Sequence, residues 1–215
     1  MNKILEGIAK HKIVVIMRKV AKDKVLPVTQ ALYDGGVRMV EITYDQSSPT
    51  HLEETGEAIK TIAQAFAGKM HVGAGTVLTT VQAASAKEYG AQFIISPNTD
   101  EEVIRHTREM GLVSIPGAFT PSEVVNAHKY GAHYVKLFPG GDLGPGYLKA
   151  ITAPISHIPI LVVGGVNADN MQDFLKAGAA GFGIGSNIVS QKLIEQGAYD
   201  KLTELALSYT RVCLY

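Results

Sequence analysis

One joint recurs along this chain: an amphipathic stretch of helical period, a glycine, then an apolar run. It reads Tyr33-Asp34-Gly35-Gly36-Val37, Tyr89-Gly90-Ala91, Met110-Gly111-Leu112, Tyr130-Gly131-Ala132 and Ala177-Gly178-Ala179. Glycine just past a helix takes the left-handed cap at little steric cost. The short spacing turns each helix straight into a strand. A repeated helix-to-strand step permits few folds, because strands joined through helices pair in parallel. Residues 12–18, 39–44, 71–76, 93–97, 113–118, 134–139, 160–165 and 181–186 read as eight strands, nearly continuous in apolar residues as burial on both faces requires. Helices are expected from near Lys24, Pro49, Thr80, Asp100, Pro121, Gly146 and Ala168, with a last one over residues 199–212. Thr99-Asp100-Glu101-Glu102 and Thr120-Pro121-Ser122-Glu123 carry the capping side chain and early acids of a helix start. Residues 1–10 read as a short amphipathic helix with Ile4, Leu5 and Ile8 on one side. The expected fold is therefore an α/β (β/α)8 TIM barrel with a short N-terminal helix, one domain over residues 1–215. A doubly wound open sheet is the alternative.

A barrel predicts that functional side chains sit at the C-terminal ends of the strands. Within the eight spans the charged residues are Lys12, Arg18, Glu41 and Lys136. Lys12 opens its strand and reaches solvent. Lys136 interrupts the apolar run Tyr134-Val135-Lys136-Leu137-Phe138-Pro139. Burying an unpaired ammonium is costly, and the same burial lowers the lysine pKa and makes its amine a nucleophile toward carbonyls. The second and sixth strands face each other across an eight-stranded barrel, so Glu41 and Lys136 meet in one axial pocket if both point inward. The bland reading is a buried ion pair; the functional one is a Schiff-base lysine with a carboxylate partner.

The seventh strand ends Val162-Val163-Gly164-Gly165-Val166 and the eighth Gly183-Ile184-Gly185-Ser186-Asn187. Glycines there let backbone N–H groups approach an anion, with a short following helix aimed at it, and these two loops are the usual phosphate site of barrel enzymes. Ser186 adds a hydroxyl donor. Thr76, after Gly73-Ala74-Gly75, is either a satisfied turn residue or a contact to a substrate carboxylate or carbonyl. Phe138 is core or a shield for the imine. Pro97 and Pro116-Gly117 are loop punctuation or pocket rim. The seven histidines show no paired metal spacing, so no metal and no cofactor is assigned. Cys213, the one cysteine, gives no internal disulfide.

Lys plus Arg and Asp plus Glu both number 20, a formal net charge of zero, which argues against a broad nucleic-acid or membrane-surface role. Residues 13–17 are too few to span a bilayer and no secretory signal is seen, so a cytoplasmic location is expected.

The ordered set Glu41-Ile42-Thr43, Gly73-Ala74-Gly75-Thr76-Val77-Leu78, Ile95-Ser96-Pro97, Ile115-Pro116-Gly117, Lys136-Leu137-Phe138-Pro139 and Gly164-Gly165 resembles the class I 2-keto-3-deoxy-6-phosphogluconate (KDPG) aldolases, which overlap with 4-hydroxy-2-oxoglutarate aldolases. The resemblance runs from about Lys12 to Ser186. It implies cleavage to pyruvate and glyceraldehyde 3-phosphate, as in the Entner–Doudoroff route, by a homotrimer. Lys136 matches the Schiff-base lysine and Glu41 the acid/base carboxylate. Thr76 matches a carboxylate contact, Phe138 and Pro97 pocket walls, and Gly164, Gly165 and Ser186 phosphate binders. Two positions depart from the pattern. Asp45 stands where many members carry an arginine that binds the substrate carboxylate, and Arg18 is the expected replacement. Val163 stands where gluconate-type members often carry threonine and galactonate-type relatives valine, which brings in the C4-epimeric substrate. Two readings of another class remain beside it: a non-covalent sugar-phosphate isomerase or epimerase, and a non-catalytic sugar-phosphate binding protein.

Overall fold

The computed structural model describes residues 3–213. Nine parallel strand segments form a nearly closed barrel: β1 Ile13–Met17, β2 Met39–Thr43, β3 His71–Gly75, β4 Phe93–Ile95, β5 Val113–Ile115, β6 Gly117–Ala118, β7 Val135–Leu137, β8 Ile160–Val163 and β9 Gly181–Ile184. The order around the sheet is β5-β4-β3-β2-β1-β9-β8-β7-β6. The segments β5 and β6 are one strand divided at Pro116, which has no N–H to give to a ladder. On one side of the proline the strand pairs with β4, on the other with β7. The eight expected strands are thus present, and their near-closure excludes the open doubly wound sheet.

Helices alternate with the strands: α1 Lys3–His11, α2 Val25–Asp34, α3 His51–Ala65, α4 Thr80–Glu88, α5 Glu101–Glu109, α6 Pro121–Lys129, α7 Gly140–Thr152, α8 Met171–Lys176, α9 Gln191–Glu195 and α10 Tyr199–Val212. The expected first helix is α1, with Met1 outside the described residues. The capping box at Thr120 and Glu123 is present in both directions. Three features depart from the expected helices. Helix α7 is two helical pieces on either side of Gly144 (φ 77, ψ 167): a first turn from Gly140 that was not expected, and, from Pro145, the helix expected near Gly146. Helix α8 starts at Met171 rather than Ala168, because Asn167 and Asn170 side chains hold the intervening turn. Helix α9 has no counterpart in the sequence reading. The strands are also shorter than expected. Lys12 (φ 58), Thr76 (φ 58), Gly164 and Gly165 leave extended geometry, so the residues at the strand ends belong to loops.

Two apolar clusters result. One lies between strands and helices. The other contains Val14, Met39, Phe93, Ile95, Val113, Ile115 and Leu161 with Ile4 and Ile8 of α1. Ile8 is 1% exposed, and burying such a side chain contributes about 2 kcal/mol. Helix α1 packs on this second cluster, and the large cavity lies at the C-terminal ends of the strands. No helix among the described residues is long and apolar enough to cross a membrane.

Candidate active site

Glu41 sits mid-strand in β2 and Lys136 mid-strand in β7, with three barrel strands between them on either side. Both are buried, 2% and 7% exposed. Burial pushes the Glu41 carboxyl up to about 7, against the downward pull of the Lys136 and Arg18 cations. Burial lowers the Lys136 pKa, the Glu41 carboxylate raises it and Arg18 lowers it further. Two groups that would carry opposite full charges in water are thereby each moved toward neutrality. The Lys136 ammonium lies 4.8 Å from the Phe138 ring centroid. Phe138 is 40% exposed, so it belongs to the pocket mouth and not to the core.

The Glu41 carboxyl has a seat made by a missing side chain. A Cβ placed on Gly75 of β3 would lie 2.4 Å from Glu41 Oε2 and 2.6 Å from its Cδ, far inside contact distance. That oxygen has no hydrogen-bond partner within the protein.

A cavity of about 840 Å³ opens beside Lys136. Its lining includes Arg18, Thr76, Pro97, Phe138, Val163, Gly164, Gly165, Gly185 and Ser186, every residue expected at the site except Glu41, whose carboxyl lies against Gly75. Gly164 and Gly165 have φ of 83 and 73, and the carbonyl of Gly164 accepts from Gly141 N–H at 2.6 Å. Only glycine holds two such residues in succession without strain. Short helices follow both glycine clusters, each after an intervening turn: α8 begins at Met171 and α9 at Gln191. Arg18 is exposed, and its backbone carbonyl accepts from Gln191 at 3.0 Å.

Asp45 does not line this cavity. Its Oδ1 accepts from Ser47 N–H at 3.1 Å and Ser47 Oγ at 2.6 Å, and its Oδ2 lies 3.5 Å from Lys19 Nζ. These hydrogen bonds, with Lys19, hold its carboxyl below the usual range. No negative charge therefore replaces the expected arginine inside the pocket. Lys19, Asn187 and Gln191 do line the cavity and escaped the sequence reading. The adjacency of Lys19 to a strand-end arginine was a usable signal; Gln191 had none. Cys213, away from the cavity, has its thiol pushed up to about 11 by burial. Among the described residues no cluster of three His, Cys, Asp or Glu could hold a metal ion.

The sequence profile for "KDPG and KHG aldolase" matches residues 4–205. The chain belongs to the KDPG and KHG aldolase family. It is 35% identical over 180 residues to the 2-dehydro-3-deoxy-6-phosphogalactonate aldolase of Escherichia coli K12, covering 83% of this chain and 85% of that one. It is 34% identical over 194 residues to the KHG/KDPG aldolase of the same organism, covering 90% and 87%. Among solved structures it resembles the KDPG aldolase of Legionella pneumophila with pyruvate captured as a covalent carbinolamine intermediate, at 27% identity and a TM-score of 0.84 over 94% of this chain and 96% of that one. Within the aldolase family both gluconate-type and galactonate-type relatives thus resemble this chain.

Proposed function

We propose that this chain is a Schiff-base aldolase that cleaves KDPG to pyruvate and glyceraldehyde 3-phosphate, with Lys136 and Glu41 as its catalytic residues. The observation that carries the reading is the buried pair on opposite walls of one barrel, each partner moved toward neutrality. A neutral Lys136 amine attacks the C2 carbonyl, and loss of water with uptake of one proton leaves an iminium; the proton is returned when the iminium is later hydrolysed. The Glu41 carboxylate takes the proton of the C4 hydroxyl, the C3–C4 bond breaks, and its electron pair moves into the enamine as the aldehyde leaves. The same carboxyl returns a proton to C3, and hydrolysis of the iminium frees pyruvate and the amine. A carboxyl balanced near 7 serves as acceptor and then donor with little driving force lost either way. Thr76 and Arg18 hold the substrate carboxylate. Gly164, Gly165, Gly185 and Ser186 hold the phosphate, and Pro97, Phe138 and Val163 form the walls.

A second reading, the same cleavage of the C4-epimeric galactonate substrate, is favoured by Val163 in the lining and by the galactonate-type relative. Measuring kcat/KM for both epimers decides between them. Val163→Thr, an isosteric change that adds one hydroxyl, is expected to shift the ratio about 5-fold toward the gluconate epimer. The aldolase reading itself is tested by borohydride reduction in the presence of pyruvate. A pyruvate-derived mass must appear on the Lys136 peptide. Phosphate-ester binding without any adduct would leave the non-covalent isomerase or the binding protein.

Gly75→Ala is expected to lower kcat about 100-fold while pyruvate still traps on Lys136, because the added methyl drives the Glu41 carboxyl from its seat. Steady-state turnover and trapping on the same preparation check it. A homotrimeric assembly, a cytoplasmic location and a place in Entner–Doudoroff sugar-acid breakdown complete the proposal and rest on kinship with the family.

A further inference from the structure

Thr76 lines the Lys136 cavity from an unusual backbone conformation. Its φ is 58, and a β-branched residue there costs on the order of 1–3 kcal/mol unless its surroundings hold it. Two primary amides do so. Leu78 N–H donates to Gln82 Oε1 at 2.8 Å, Gln82 Nε2 donates to Gln46 Oε1 at 2.9 Å, and Gln46 Nε2 donates to the carbonyl of Thr76 at 2.7 Å. The relay leaves the turn at residue 78 and returns to it at residue 76, so it staples both ends of the turn that carries Thr76. Its direction is forced, because it starts on a backbone donor and ends on a backbone acceptor.

Gln82 is built for this task. It sits three residues after the helix cap Thr79, whose hydroxyl accepts Gln82 N–H, and it is 3% exposed. A glutamine at that position of a capping box would reach back to the cap residue's own N–H. Here it reaches one residue further, to Leu78. The Tyr44 hydroxyl fixes the backbone carbonyl of Gln82 at 3.0 Å. Gln46, next to Asp45, is turned toward Thr76 while Asp45 is occupied by Ser47 and Lys19.

We propose that Gln46 and Gln82 are positioning residues. They lock the turn after β3 so that Thr76 faces the carboxylate of the bound keto acid, and they set the affinity for that group without taking part in bond cleavage. The proposal rests on the aldolase reading, in which Thr76 touches the substrate. A carboxylate in place of either amide keeps the shape and removes the donor. In Gln46→Glu, two acceptors then face each other at the Thr76 carbonyl.

The test uses Gln46→Glu, Thr76→Ala and the double variant, with pyruvate as the probe. Borohydride trapping on Lys136 is followed against pyruvate concentration, with kcat and thermal midpoint measured on each protein. Gln46→Glu is expected to raise the half-saturating pyruvate concentration about 5–10-fold. Its trapping plateau should stay as in the unaltered protein and kcat should change less than about 2-fold, while the thermal midpoint falls by a few degrees as the turn loses its staple. In the Thr76→Ala background the same substitution should add nothing, because the group it positions is gone. An unchanged half-saturation in Gln46→Glu, or effects that multiply in the double variant, overturns the relay while leaving the aldolase reading intact. Failure of the unaltered protein to trap pyruvate overturns both.

Discussion

Replacing Lys136 with methionine is expected to lower pyruvate release by ~10,000-fold or more, about 5.5 kcal/mol of transition-state stabilisation. Methionine matches the volume of the lysine stem, and with the ammonium gone the buried Glu41 carboxyl takes up a proton and stays as the neutral acid, which limits the loss of stability from breaking the pair. The loss is therefore chemical and not one of folding. Without the amine there is no iminium, and the C3–C4 electron pair has no sink. The variant should show the circular-dichroism spectrum of the folded protein at the assay temperature and no pyruvate adduct after borohydride. Turnover above about 1% of the original, or an adduct on another lysine, would show that the nucleophile has been placed on the wrong residue.

Glu41→Gln has the second largest effect and a different signature. The amide can neither take the C4 hydroxyl proton nor return one to C3, so kcat is expected to fall ~100- to 10,000-fold. Lys136 remains, so trapping by pyruvate persists. The pH dependence separates this from a general disturbance. The folded-state pKa of Glu41 is raised to about 7, so its base form is depleted as pH falls through that value. Cleavage by the unaltered protein should decline below about pH 7, and the residual activity of Glu41→Gln should lack that limb. A decline of the same shape in both proteins would assign the limb to another group and remove Glu41 from the proton transfer.

Much of the architecture was legible because each helix announces its end with glycine and each strand its burial with apolar continuity. The Lys136 and Glu41 pair was legible for the converse reason: charge inside such continuity is expensive, and two such charges on facing strands limit the interpretations. Strand ends were not legible. Thr76 and Pro97 look like strand residues by composition, yet Thr76 is left-handed and β4 ends at Ile95. The side-chain directions at 45 and 46 were hidden as well. An aspartate where an arginine was expected suggested reversed charge in the pocket. Asp45 is instead held by Ser47 and Lys19, outside the lining, while Gln46 reaches Thr76. Sequence spacing does not say which of two adjacent polar residues faces inward once the backbone has left the strand, as it does here after Thr43.

The division of the fifth strand at Pro116 has a mechanical meaning for the site. Hydrogen bonds cross the division on both sides: Gly117 N–H donates to the Asn98 carbonyl at 3.2 Å, just past β4, and His133 N–H donates to the Ser114 carbonyl at 3.0 Å, just ahead of β7. The ring is therefore closed by backbone hydrogen bonds, and both arcs between Glu41 and Lys136 are braced. The proline itself gives no N–H, but its carbonyl accepts from Lys136 N–H at 2.8 Å. The residue at which the strand passes from one neighbour to the other thus also anchors the backbone of the amine, so a change at Pro116 reaches Lys136 through one hydrogen bond.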